Sequence, residues 1–145
     1  VEIEKAYFVI VGISFILALM KKKTYLILHN IRSAYNVGSL FRTADGAGVS
    51  KIFLTGHTPT PTDHFGRKRK DLAKVALGAE ESVVWEKRDD IFKLIEELQK
   101  QNFEIVAVEQ SPQAIANTEH IRKQKCAYIL GNEVDGLSND VLGGF

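Results

Sequence analysis

The sequence predicts an α/β domain, a parallel sheet flanked by helices, and three observations predict it. Short β-rich apolar runs recur at 24–28, 51–54, 82–85, 104–108 and 126–130. Two stretches between them, 36–48 and 89–101, carry apolar residues at helical spacing, and strands that alternate with helices pair in parallel and need cover on both faces. The 145 residues, 45% hydrophobic and 26% charged, suffice for one compact core.

The elements follow in order. Residues 6–20 (AYFVIVGISFILALM) are almost wholly apolar, but as a helix they would reach only ~22 Å, short of a ~30 Å hydrocarbon core. Glu2 and Glu4 precede this run and Lys21, Lys22 and Lys23 follow it, the reverse of a secretory signal. With Val1 first and Met20 the only methionine, residues 1–19 are expected to be non-native or upstream-translated sequence ahead of a start at Met20. The alternative is a membrane anchor over 6–20.

The run 24–28 (TYLIL) is the first strand. The helix over 36–48 places Val37, Leu40, Phe41 and Ala44 on one face and Arg42 nearly opposite, in a stripe with Gly38 and Gly46. Each glycine costs about 1 kcal/mol against alanine in a helix, so the pair calls for a close neighbour: another backbone, a subunit or a ligand. Asn36 suits a helix N-cap. Residues 51–54 (KIFL) form the next strand, 57–63 with its prolines a loop, and 82–85 a strand. The helix over 89–101 buries Ile91, Leu94, Ile95 and Leu98 and starts at an aspartate. Strands at 104–108 and 126–130 complete the sheet.

Charge and cysteine usage narrow the function. A net charge of +1 puts any nucleic-acid contact in local clusters, and Arg67, Lys68, Arg69 and Lys70 (RKRK) form the candidate cluster for RNA. A lone Cys126 inside an apolar run reads as a buried residue in a reducing cytoplasm. The four histidines, His29, His57, His64 and His120, lack metal-ligand spacing, so no metal is expected. In open α/β sheets ligands bind beyond the carboxyl ends of the strands, here the loops after Leu28, Val108 and Leu130. Neither a G-x-G-x-x-G turn nor a G-x-x-x-x-G-K-[ST] loop is present. The loop after Leu130 instead brackets Glu133 and Asp135 between Gly131 and Gly136.

The stretches NVGSLFRTA, from Asn36, and GNEVDGLS, from Gly131, together resemble the first and second motifs of the SpoU (TrmH-type) RNA 2'-O-ribose methyltransferases of the SPOUT superfamily. The likeness runs from about Met20 to Ser138 and takes in ALGAEESVVWE from Ala76. It implies a parallel α/β fold with a C-terminal trefoil knot, S-adenosyl-L-methionine as cofactor, tRNA or rRNA as substrate, and a homodimer. By position, Arg42 matches the catalytic arginine, Asn36 the asparagine of motif one, and Glu133 the glutamate that shapes the active site. Val108, Gly131 and Gly136 match cofactor-binding positions. Arginine stays charged and is no ordinary base; it can hold a phosphate beside the ribose hydroxyl while that oxygen is aligned on the methyl donor.

The third family motif, a proline-bearing strand and a Ser-Leu-Asn helix start, would follow Leu142, and the chain stops at Phe145. The expectation is therefore a methyltransferase domain over 20–145 with its knot-forming segment truncated, Ser138 capping a short last helix, and weak or no cofactor binding by this chain alone. The alternative is a related RNA-binding module without catalytic activity.

Overall fold

The computed structural model describes residues 22–145, so the expectations about residues 1–19 and the 6–20 run lie outside the described residues. Among these, the chain folds as β1 (Lys23–His29), α1 (Ala34–Gly46), β2 (Lys51–Thr55), α2 (Lys70–Ala76), α3 (Ala79–Ser82), β3 (Trp85–Arg88), α4 (Ile91–Lys100), β4 (Glu104–Val108), β5 (Lys125–Leu130) and α5 (Asn139–Leu142). The strands form one sheet in the order β3-β2-β1-β5-β4, every neighbouring pair parallel. The predicted α/β class is the observed one. Among the described residues no helix is long and apolar enough to cross a membrane.

Alternation along the strands divides the core into two layers. On one face, Ile27, Phe53, Ala127 and Ile129 meet Ile91, Leu94, Ile95 and Leu98 of α4. On the other, Leu28, Ile52 and Leu54 meet Val37, Phe41 and Ala44 of α1, with Leu72 and Ala76 of α2. Helix α4 begins as its sequence requires: the Asp90 side chain accepts hydrogen bonds from the Phe92 and Lys93 amides.

Three details depart from the sequence expectations. Helix α1 starts two residues early, because the Ser33 hydroxyl accepts from the Asn36 amide and is the N-cap; Asn36 itself lies inside the first turn. The segment expected as a strand at 82–85 is mostly not one. Its Ser82 closes α3, whose Ala79 packs with Val83 against the α1 side of the core, and pairing with β2 begins only at Trp85, opposite Ile52. Finally, α2, which opens at Lys70, the last residue of the basic cluster, is not among the expected helices.

Helix α2 also explains half of the glycine stripe. A Cβ added at Gly38 would lie 2.5 Å from the Leu72 carbonyl oxygen and 3.1 Å from the Val75 Cβ, so Gly38 is where α2 crosses α1 with backbones close. Gly46 has nothing within 4 Å. Overpacking against backbone costs roughly 1–3 kcal/mol, which outweighs the helix propensity that alanine restores. Gly38→Ala is therefore expected to lower the urea midpoint, and Gly46→Ala to leave it unchanged or raise it.

Candidate functional site

The strand order reverses direction between β1 and β5: from β1 the chain steps to β2 and β3, and from β4 at the far edge it returns to β5 beside β1. Such a switch point leaves a crevice beyond the carboxyl ends of the two strands. Here it is bordered by the loop from Asn30 to Ser33 and by the glycine-bracketed acidic loop.

Glu133 joins these two loops. Its carboxylate accepts from the amides of Arg32 (3.0 Å) and Ser33 (3.2 Å) and from Asn36 Nδ2 (3.0 Å), across about a hundred residues of sequence. An anion at the first turn of α1 suits the positive end of the helix dipole. Partial desolvation disfavours the charged carboxylate, but the bonds from Arg32, Asn36 and Ser33 overcome it and bring the group down to about 2. It is an anion at any physiological pH, an acceptor and not a proton donor.

The acidic loop is a tight hairpin-like turn. Asn132 and Gly136 exchange backbone hydrogen bonds of 3.2 and 2.9 Å, the Asn132 carboxamide oxygen accepts from the Val134 and Asp135 amides, and its Nδ2 donates to the Asn30 carbonyl. A Cβ on Gly131 would stand 2.5 Å from the carbonyl carbon of Gly136 and 2.7 Å from the Leu137 nitrogen. Gly136 has φ +65°, and its Cβ would collide with the carboxylate of Glu109. That carboxylate accepts from the Leu137 amide (2.8 Å) and from Gln110 (3.0 Å), bonds that hold it below the usual carboxylate range. Glu109, next to Val108, thus latches the loop after β4 onto the loop after β5.

A polar network that the sequence reading missed supports the other wall. Thr58, buried, accepts from the Ile31 amide and donates toward the Leu28 and Thr55 carbonyls. His29 Nδ1 meets Thr55 Oγ1 at 2.8 Å, and Asn30, in the left-handed region at φ 54°, accepts from the His57 amide. Burial, with Lys87 and His57 nearby, pushes the His29 imidazole below its ordinary value. Its only signal in the sequence was position, directly after the first strand.

The structure brings together Asn36, Glu133 and Gly131, which line one shallow cavity with Ile31, Ser39 and Leu40. Gly136 borders a neighbouring cavity of about 440 Å³ with His29, Asn30, Arg32, Asn132, Asp135 and Ser138. Val108 lines a third, beside Glu109, Ala114 and Tyr128. Arg42 lies elsewhere on α1, exposed in a groove with Tyr35, Asp71 and Lys74. Of the basic cluster, Arg67 pairs with Asp63, Lys68 with Glu80 and Glu81, and Arg69 with Asp71; within the cluster only Lys70 makes no ion pair with another described residue. Ser138 caps α5 as expected, accepting from the Val141 amide.

Comparison with known proteins agrees with this architecture. The profile of the SpoU rRNA Methylase family matches residues 23–144. The 23S rRNA (guanosine-2'-O-)-methyltransferase RlmB of Neisseria meningitidis serogroup B is 28% identical over 113 residues, which is 77% of this chain and 42% of that protein; the chain thus spans less than half the length of this curated relative. An rRNA methyltransferase from Sinorhizobium meliloti superposes with TM-score 0.72 at 23% identity, over 86% of this chain and 46% of the other. The SpoU methyltransferase AviRb from Streptomyces viridochromogenes, solved in complex with AdoMet, superposes with TM-score 0.74 at 16% identity, over 85% and 48%. These two likenesses establish the shared fold, and the profile match over nearly the whole described chain establishes the kinship: the chain belongs to the SpoU rRNA Methylase family.

Proposed function

We propose that this chain carries the substrate and cofactor loops of an S-adenosyl-L-methionine-dependent enzyme that methylates a ribose 2'-hydroxyl in rRNA or tRNA. The observation that supports it most is the Glu133 junction, where one carboxylate ties the loop after β5 to the first turn of α1 at the switch point of the sheet. The donor set fits the cofactor: Gly131 and Gly136 let the acidic loop close tightly on itself and on Glu109, and Glu109, Glu133 and Asp135 suit a cationic ligand that carries ribose hydroxyls. Val108, Gly131 and Gly136 would border it. When bound, S-adenosyl-L-methionine supplies an electrophilic methyl on sulfur, which the ribose oxygen accepts as it gives up its proton.

This chain's residues do the positioning. Glu133 and Asn36 set the relation of the two loops, and Arg42 holds an RNA phosphate next to the reacting ribose, where the phosphate oxygen or a water takes the proton. Arg42 stands apart from Glu133 on α1, which suits a contact to the RNA backbone rather than to the cofactor. In the whole protein the reading includes the C-terminal knot and a homodimer, and the exposed Arg42 groove is open to a partner subunit or to RNA. The basic cluster contributes chiefly through Lys70, since its other members are matched by carboxylates.

The test is transfer of a labelled methyl group from S-adenosyl-L-methionine to rRNA or tRNA by the full-length protein, with the product mapped to a ribose. Arg42→Ala is expected to lower kcat/KM about tenfold, the worth of one lost charge-assisted hydrogen bond at roughly 1.5 kcal/mol, and to flatten the salt dependence of RNA binding. RNA binding without methyl transfer would favour the binding-module alternative; transfer to a base instead of a ribose would overturn the reading.

A further inference from the structure

We infer that Glu104, His120 and Cys126 form a binding site for a zinc-class divalent cation, with His120 also lining the cavity beside Val108 and Glu109. One carboxylate oxygen, one imidazole nitrogen and the thiol sulfur lie within 4.8 Å of one another. Glu104 and Cys126 are register partners on β4 and β5, so the sheet itself sets their side chains next to each other, and Cys126 is fully buried. His120 comes from the irregular connection between those strands. Its Nε2 is buried and has no hydrogen-bond partner among the described residues, which is a cost for a polar atom that a metal–nitrogen bond would remove.

The distances suit coordination. Cys126 Sγ and Glu104 Oε2 stand 4.0 Å apart, against about 3.6 Å for two ligands of a tetrahedral zinc with bonds of about 2.3 and 2.1 Å. A shift of a few tenths of an ångström closes that pair, and His120 rides on a segment without regular structure that can follow. The mixed sulfur, nitrogen and oxygen set selects a zinc-like ion over calcium or magnesium, which take oxygen ligands. A thiolate and a carboxylate balance the two charges of the ion, with water in the fourth position. One cation opposes it. Lys123 binds Glu104 through Oε1 at 3.5 Å, which leaves Oε2 for the metal.

The ligands were not singled out in the sequence because Glu104 is distant from the other two and meets Cys126 only through the β4–β5 register. Their place gives the site a role. The connection that carries His120 starts at Glu109, whose carboxylate latches the acidic loop, so an ion here would fasten the far end of a segment whose near end shapes the crevice.

The full chain, stripped with chelator, is titrated with Zn2+ and with Co2+. One ion per chain is expected, with a cobalt–thiolate absorption band that Cys126→Ser removes. His120→Ala, on an exposed irregular segment, is expected to keep the fold and weaken binding by about tenfold or more, and Zn2+ should raise the Tm of the wild type but not of His120→Ala. Absence of the thiolate band overturns the proposal, and so does wild-type affinity in both His120→Ala and Glu104→Gln, which would mark simple capture by a cysteine.

Discussion

Gly131→Ala is expected to abolish detectable methyl transfer by the full-length protein and to destabilise the domain by about 3 kcal/mol, at the upper end of overpacking costs. The reason is the nature of the neighbour. The added Cβ would meet the Gly136 carbonyl carbon at 2.5 Å, the Gly136 oxygen at 2.6 Å and the Leu137 nitrogen at 2.7 Å, all backbone, and backbone cannot rotate away as a side chain can. Relief requires opening the turn closed by the Asn132–Gly136 hydrogen bonds. That displaces Leu137, whose amide holds Glu109, and with it the latch between the loops after β4 and β5. Gly136→Ala makes the control. Its penalty is a left-handed φ, worth about 1–2 kcal/mol, plus a clash with a movable carboxylate, so it should cost less than Gly131→Ala. Urea denaturation ranks the two, and calorimetry with S-adenosyl-L-methionine reads the loop directly. Equal stability of Gly131→Ala and the wild type would show that the loop is not built on that close approach.

Why some of this was legible in the sequence, and some not, follows from the range of the interactions. The strand at 104–108 was read with its observed bounds because its apolar run is short, continuous and flanked by polar residues. Helix α4 was legible because its four buried apolar residues and its capping aspartate all act locally. Helix α2 was missed because its seven residues make only about two turns and four basic side chains precede or open it; its stability comes from the crossing at Gly38, which is tertiary. The same crossing explains why the glycine stripe was noticed but its partner was not. The ion pairs that match Arg67, Lys68 and Arg69 also depend on folding, since Glu80 and Glu81 reach Lys68 only once α3 is in place. In the site, Glu133 and Asn36 were singled out from motif likeness, yet their direct contact spans 97 residues and no local rule could have joined them. The His29, Thr55 and Thr58 network carried no motif at all.

That contact underlies the other large effect. Glu133→Ala is expected to lower kcat/KM of the full-length enzyme about a hundredfold, equivalent to about 2.7 kcal/mol, while costing only about 1 kcal/mol of stability, because the pair of loops is solvent-exposed and water can replace the lost acceptor. The asymmetry is the content of the prediction: a group that merely stabilised would move both quantities together. Glu133→Gln keeps the shape but turns an amino group toward donors that need acceptors, so it should recover little of the activity. The variant also sets a pH test. The folded Glu133 titrates at about 2, below its ordinary value of 4.5, so its contribution is fully present above the unfolded value and is lost as pH falls through the folded one. The stability difference between the wild type and Glu133→Gln should therefore hold constant above about pH 5 and shrink toward zero near pH 2, where the wild-type carboxyl becomes neutral as the amide is. A difference that stays constant down to pH 2 would mean that Glu133 holds the two loops by shape and not by charge, and the hundredfold expectation for catalysis would then lose its physical basis.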